Sequence, residues 1–344
     1  MLAAKCISTA VGLILALLSS AAFAVEHKYV AFDISPDGKQ VAFSSADGKL
    51  YVFDLESKTV HRIIETDALC VTPAFSPDGT SIAYCSTTPS SDGLSIYTTG
   101  LDGKKCQKVT NEQSVSDAIP VYSPDGSKLA FARAHLLRPY SMGGTTWDRW
   151  DVYVVDADGS NLKRVSRGEH RGINGLTFSK DGKSIYFAAE SRRTPNDLTT
   201  NVFVVSSDGK AEPTQISPVL AGAKNAAWAT EPTLSPNGKD LLVVSDRVEP
   251  YQYDLVVISL GDNAIKPLGA TSISHYNRNP RFSPDATKIF FLAGTEWNAR
   301  SRPVFSLWSI DVDGTNATQW ASSSLLTDPT ARNRLSPKQS GRIK

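Results

Sequence analysis

A tetrapeptide, Ser-Pro-Asp-Gly or a close variant of it, recurs six times along this chain, each time after one apolar run and before another. Such punctuation makes the chain a repeat array. The copies are Ser35-Pro36-Asp37-Gly38, Ser76-Pro77-Asp78-Gly79, Ser123-Pro124-Asp125-Gly126, Ser179-Lys180-Asp181-Gly182, Ser235-Pro236-Asn237-Gly238 and Ser283-Pro284-Asp285-Ala286. Their spacings of 41, 47, 56, 56 and 48 residues lie in or a little above the range in which one supersecondary unit repeats as a propeller blade. Pro sets φ at the second turn position, Asp bonds back to the local backbone, and Gly accepts a positive φ where the chain re-enters the ladder. Each copy therefore turns a hairpin. The sixth ends in Ala286, so a different or strained turn is expected there.

The runs after the turns, such as Val41-Ala42-Phe43, Ile82-Ala83-Tyr84, Leu129-Ala130-Phe131 and Ile289-Phe290-Phe291, are β-formers fit to pack on both faces. A third strand follows in each unit: Leu50 to Leu55, Leu94 to Thr99, Asp151 to Asp156, Asn201 to Ser206, Tyr253 to Ser259 and Val304 to Asp311. A more polar fourth strand closes the unit, as at Val60 to Glu65, Lys163 to Arg167 and Ala317 to Ala321. Four antiparallel strands in each of six units predict an all-β fold, a six-bladed β-propeller, in which neighbouring blades cover each other's faces.

Residues 1–24 read as a signal peptide, with Lys5 as the charged region, an apolar stretch from Val11 to Leu18 and Ala22-Phe23-Ala24 as the cleavage site. The propeller is expected over residues 25–322 and a polar, disordered tail over 323–344. A periplasmic or secreted protein follows, with no membrane span after cleavage. A formal net charge of +1 argues against nucleic acid as a partner. Cys70 and Cys85 flank one turn almost symmetrically, so a Cys70–Cys85 disulfide is expected, with Cys106 free; three reduced thiols are the alternative.

The pairing of Phe75-Ser76-Pro77-Asp78-Gly79 and Ile82-Ala83-Tyr84 with a run such as Asp151-Val152-Tyr153-Val154-Val155-Asp156-Ala157-Asp158-Gly159 resembles the WD-like "PD" repeat of the TolB-type propellers. The resemblance covers Val25 to Ser322 and implies a propeller that serves as a binding scaffold. It extends to the propeller part only; the α/β domain that precedes it in TolB is expected to be missing.

In a propeller the first-to-second and third-to-fourth turns share one face, and the second-to-third connections share the other with the blade-to-blade links. The Ser-Pro-Asp-Gly turns occupy the first. The long connections, Thr87 to Gly93, Ala134 to Trp150, Glu190 to Thr200, Asp246 to Gln252 and Gly294 to Pro303, lie opposite, where function concentrates. Arg138, Arg149, Arg192, Arg193, Arg247, Arg300 and Arg302 fall within these connections, with Arg133 at an edge, whereas Lys39, Lys49, Lys128, Lys183, Lys239 and Lys288 mark the tight turns. Arginine suits forked recognition of carboxylates, and Trp147, Trp150, Tyr251 and Trp297 offer rings beside it. The expected ligand site is Arg138, Trp147, Arg149, Trp150, Arg192, Arg247, Tyr251, Trp297 and Arg302, facing a peptide, a protein segment or an acidic glycan.

A monomeric binding module without a cofactor is the leading reading. Asp67, Asp117 and Glu231 at the channel mouth are candidate calcium ligands, although carboxylates there also cap strand amides. The alternative is an enzyme. His275-Tyr276-Asn277-Arg278 before the last turn resembles the inner strand of oligogalacturonate-lyase propellers, which implies a polysaccharide lyase working through His135, His170, His275 and Arg278.

Overall fold

We describe a computed structural model of the chain, covering residues 30–65, 68–87, 93–139, 144–190, 200–216, 228–249, 252–295 and 304–329. The first blade is β1 (Ala31–Ile34), β2 (Gln40–Ser44), β3 (Leu50–Asp54) and β4 (Val60–Arg62). The second is β5 (Cys70–Phe75), β6 (Ser81–Thr87), β7 (Leu94–Gly100) and β8 (Gln107–Lys108). The third is β9 (Ser116–Tyr122), β10 (Lys128–Pro139), β11 (Thr145–Asp156) and β12 (Lys163–Arg164), and the fourth is β13 (Ile173–Phe178), β14 (Ser184–Glu190), β15 (Thr200–Ser206) and β16 (Thr214–Gln215). These are four separate four-stranded sheets, each ordered as the strands follow in sequence.

The remaining strands are β17 (Ala229–Leu234), β18 (Asp240–Glu249), β19 (Gln252–Ser259), β20 (Ile265–Pro267), β21 (Tyr276–Phe282), β22 (Lys288–Gly294), β23 (Phe305–Asp311) and β24 (Thr318–Ala321). They form one eight-stranded sheet, in place of the two further separate blades expected. Within it β17–β20 and β21–β24 are antiparallel ladders, joined by a single parallel pairing of Tyr253 with Tyr276. The chain is thus an all-β propeller of four-stranded antiparallel blades.

The repeated turn does the same work in every unit. Its Ser hydroxyl donates to the Asp or Asn side chain two residues on, at 2.5–2.7 Å, and accepts the amide five residues on. The Ser hydroxyl and the neighbouring amides hold these carboxyls below their ordinary range, Asp125 at about 2. The turns also stack on one another. A Cβ at Gly79 would lie 3.5 Å from Pro36, one at Gly126 3.6 Å from Pro77, and one at Gly38, in the first turn, 3.5 Å from Pro284 in the last.

The sixth turn keeps this geometry with Ala286 at φ 59°. An alanine there bears roughly 1–2 kcal/mol of left-handed strain, against roughly 0.5–1 kcal/mol of extra unfolded-chain freedom for glycine. Ala286→Gly is therefore expected to raise stability by about 0.5–1 kcal/mol, read as a higher denaturation midpoint; a lower midpoint refutes it.

The core lies between sheets. One apolar cluster joins the first and second blades, another runs through the second, third and fourth, and others join the fourth to β17–β20, that ladder to β21–β24, and β21–β24 back to the first blade. Cross-strand aromatic pairs, Phe43 with Tyr51, Tyr84 with Tyr97, Phe131 with Tyr153 and Phe187 with Phe203, stack at 5.5–5.9 Å and pin the register of β2–β3 and its equivalents.

The expected disulfide is not formed, and Cys70, Cys85 and Cys106 are all free thiols. Cys70 stands opposite Ser86 and Val71 opposite Cys85. That offset of one position turns the two thiols to opposite faces of the sheet. Cys70 packs toward the first blade and Cys85 toward the third. The segment expected as a polar tail begins with a helical turn, α1 (Ser323–Thr327), whose Leu325 and Leu326 are buried. The expected signal peptide and residues 330–344 lie outside the described residues.

Candidate functional site

The connection from Ala134 to Trp150, expected as a loop, is mostly strand. β10 and β11 pair from Lys128 with Asp156 out to Pro139 with Thr145. Both are 12 residues long, while β6, β7, β14, β15, β22 and β23 have 7. β9 pairs with β10 only as far as Ala134, so the hairpin continues beyond its blade. At a strand rise of about 3.4 Å per residue, that is a ribbon of roughly 17 Å.

Its base is a buried charged assembly. Arg133 is fully buried and donates to Asp117 from Nε at 2.6 Å and from Nη2 at 2.9 Å, while Nη1 reaches Glu112. Its guanidinium lies 5.2 Å from the Phe131 ring centre and 5.0 Å from that of Tyr153. Across the strand, buried Asp151 accepts Arg164 at 2.5 Å and the Ser166 hydroxyl at 2.9 Å. Glu169 then approaches Arg164 at 3.9 Å and Arg149 at 3.8 Å. These pairs arise because β9, β10, β11 and β12 set residues far apart in sequence side by side.

Two expected ligand residues are corrected here. Trp147 and Trp150 are 3% and 1% exposed, and the Trp150 indole donates to the Trp147 carbonyl at 3.2 Å. They are core anchors of the hairpin and present no ring to a ligand. The two arginines do remain at the surface. Arg138 is half-exposed and paired with Asp148 at 2.5 Å; Arg149 is half-exposed, with a left-handed backbone at φ 59° whose amide donates to Asp148 at 2.8 Å. The side chains of Arg192, Arg247, Tyr251, Trp297 and Arg302 lie outside the described residues, as does Asp67.

The three histidines occupy separate settings. His135 Nε2 is 3.0 Å from the Tyr153 hydroxyl, and burial, with Arg164 close by, pushes its pKa down. His170 is buried against Phe187 and Phe203, and its backbone pairs with Trp150. His275 is exposed, its carbonyl accepting the Tyr253 amide. Arg278 donates to Glu231 at 2.7 and 3.1 Å, joining β21 to β17. Asp117 and Glu231, expected as cation ligands, thus each hold an arginine. Among the described residues no three His, Cys, Asp or Glu side chains are grouped to hold a metal ion.

Sequence reasoning missed Glu112, Asp151, Arg164 and Glu169, and also an ion pair on the inner strands in which Arg281 meets Asp33 at 3.2 Å. Burial pushes the Asp33 carboxyl up, opposed by Arg281 and the Phe75 amide. The available signal was a charged residue inside each apolar strand, as at Asp151 and Asp33.

Blades stacked through their apolar faces, with repeated turns on one side and a projecting hairpin on the other, define a β-propeller scaffold. Residues 22–139 match the PD40 family, described as the TolB beta propeller domain. Over that stretch the chain is similar to the TolB-type propellers. It is 25% identical over 275 residues to the Tol-Pal system protein TolB of Francisella tularensis subsp. tularensis (strain WY96-3418), covering 78% of this chain and 55% of the relative. The chain therefore spans about half the length of the curated relatives it matches. Among solved structures it resembles TolB from Acinetobacter baumannii, with TM-score 0.59, 17% identity, and 85% of this chain and 63% of that one covered. It also resembles an oligogalacturonate lyase from Vibrio parahaemolyticus, with TM-score 0.56, 13% identity, and 86% and 80% covered. At these identities the structural likenesses establish the fold alone.

Proposed function

We propose that this chain is an exported binding module that works in the periplasm and holds a segment of a partner protein on its long-connection face, chiefly at the β10–β11 hairpin. The observation that carries the reading is the hairpin itself: a ribbon projecting from a buried charged base, with Arg138 and Arg149 at its surface. A rigid base with exposed charged tips is how a scaffold presents a recognition loop. Relatives named as Tol-Pal system proteins support a protein partner. No helix among the described residues is long and apolar enough to cross a membrane. We count the ladders β17–β20 and β21–β24 as a fifth and a sixth blade, a count supported by the last turn stacking on the first.

The lyase reading would need His135, His170 and His275 at one centre, and their three settings favour binding instead. The test is fluorescence anisotropy with labelled acidic and basic peptides and with oligogalacturonate. Acidic peptide is expected to bind, and Arg138→Glu with Arg149→Glu to weaken it about tenfold or more. Unsaturated product from oligogalacturonate, seen as a rise in ultraviolet absorbance, would replace the binding reading with the enzyme.

A further inference from the structure

The β10–β11 ladder has a joint at the root of the projecting hairpin. Ala134 pairs with Trp150 and Leu136 with Asp148, but His135 and Arg149 between them form no ladder pair. Arg149 is left-handed at φ 59°, and its amide turns to the Asp148 side chain at 2.8 Å. A left-handed residue other than glycine is strained and persists only where its surroundings hold it. β9 begins at Ser116, the partner of Ala134, so the joint falls where the hairpin leaves its blade.

A polar cluster around His135 holds this joint. By alternation His135 shares a face of β10 with Phe131 and Arg133. Its Nε2 lies 3.0 Å from the Tyr153 hydroxyl of β11, with the two rings tilted at 5.5 Å between centres. Arg133 on the same strand and Arg164 on β12 both disfavour a proton on the ring. The neighbouring carboxylates are already committed. Asp117 of β9 and Glu112 of the preceding link hold Arg133, Asp151 of β11 holds Arg164 and the Ser166 hydroxyl, and Glu169 approaches both Arg164 and Arg149. The second blade packs Leu94, Ile96 and Val109 into the same core, none of them charged. Among the described residues no carboxylate forms an ion pair with the His135 ring. A proton on His135 therefore adds a cation that nothing in the closed joint neutralises.

We propose that the hairpin root is a proton-sensitive joint: with His135 neutral it is closed against Tyr153 and holds Arg138 and Arg149 in place, and protonation of His135 opens it and weakens binding of the acidic partner. The proposal rests on the protein-binding reading above and specifies its regulation. Trp147 and Trp150 are buried on either side, so opening is confined to the joint and its arginines. Burial, then Arg164 and Arg133 against Asp151 and Glu112, pushes the His135 pKa down in the closed joint. The neutral ring thus favours closure above the ordinary histidine value of about 6.5, and that contribution is lost as pH falls below it. At pH 5.5, one unit below, the open joint gains at most about tenfold in population.

The test is hydrogen exchange of the full chain at pH 7.5 and 5.5, read by mass spectrometry and corrected for the intrinsic pH dependence of exchange. His135→Gln and His135→Leu, uncharged at both pH values, are measured alongside. In the wild-type chain protection over residues 135–138 and 146–149 is expected to fall roughly three- to tenfold at pH 5.5 while β13 holds its own, and in the variants the two pH values are expected to agree. No fall in the wild-type chain, or an equal fall in the variants, would overturn the joint. Anisotropy with a labelled octapeptide of alternating aspartate and valine, still ionised at pH 5.5, is expected to show weaker binding in acid for the wild-type chain alone. Opening without a change in affinity would overturn the regulation. Exchange as expected with no peptide bound at either pH would remove the binding reading and the regulatory role with it, whereas pH-independent exchange with peptide bound would remove the joint alone.

Discussion

Replacing Arg133 with alanine is expected to cost about 3–5 kcal/mol of stability, the effect of stripping one partner from a buried ion pair. The guanidinium is fully buried, grips Asp117 with two donors and lies beside the stacked rings of Phe131 and Tyr153. Alanine would leave the Asp117 carboxylate buried without its cation and open a void beside the stacked rings. Arg133→Lys keeps the charge but loses the fork, so an intermediate loss is expected. Arg133→Met combined with Asp117→Leu removes both charges and is expected to recover most of the stability, since an apolar pair of similar volume often equals a buried ion pair. Guanidinium unfolding measures all four proteins, with the midpoint moving and the slope constant. A loss below about 1 kcal/mol for Arg133→Ala would put this pair in the class of surface salt bridges and deprive the hairpin of its rigid base.

What the sequence discloses here is what local chemistry controls. Ser-Pro-Asp-Gly and its variants mark the first hairpin of every unit because the turn is made from its own side chains, and even Ala286 announces its strained φ by replacing glycine. Third strands are legible for the same reason, since β-formers run continuously up to a second turn. Pairing between strands is less visible. Cys70 and Cys85 look symmetric about their turn, yet an offset of one residue turns them to opposite faces, and a left-handed residue at Thr72 shifts the ladder again. Trp147 and Trp150 read as loop aromatics because nothing local says that the ribbon continues; their burial depends on neighbours in other strands. Arg278 lies 47 residues after Glu231, close to one repeat period, so the two meet as neighbouring units stack. A contact of that kind belongs to the stacking and leaves no mark in either segment alone.

The seam between the first blade and the last ladder is where the ring is expected to open first. β1 to β4 come from one end of the described chain and β21 to β24 from the other, and no strand is shared between them. They are held by an apolar cluster of Phe32, Phe43 and Phe53 with Phe290, Leu292 and Leu307, closed by Leu325 and Leu326 of α1. Polar contacts reinforce it: the Phe32 amide donates to Asn279 at 2.8 Å, Arg281 meets Asp33, and the Ala46 amide donates to the Leu326 carbonyl at 3.3 Å. At the outer edge the Lys58 ammonium sits 4.2 Å above the Trp320 ring. Each of Leu325→Ala and Leu326→Ala is expected to cost about 2–5 kcal/mol, as for other buried leucines. Leu241→Ala, in the cluster between the fourth blade and β17–β20, should cost a similar amount, so global stability alone does not identify a clasp. Amide exchange does. A seam without a shared strand opens as its own unit, so the α1 variants are expected to speed exchange in β1 and β22 while β9 and β10 stay protected, and Leu241→Ala is expected to leave β1 unchanged. Uniform acceleration across all blades in the α1 variants would mean that α1 contributes only bulk burial and that the ring unfolds as one piece.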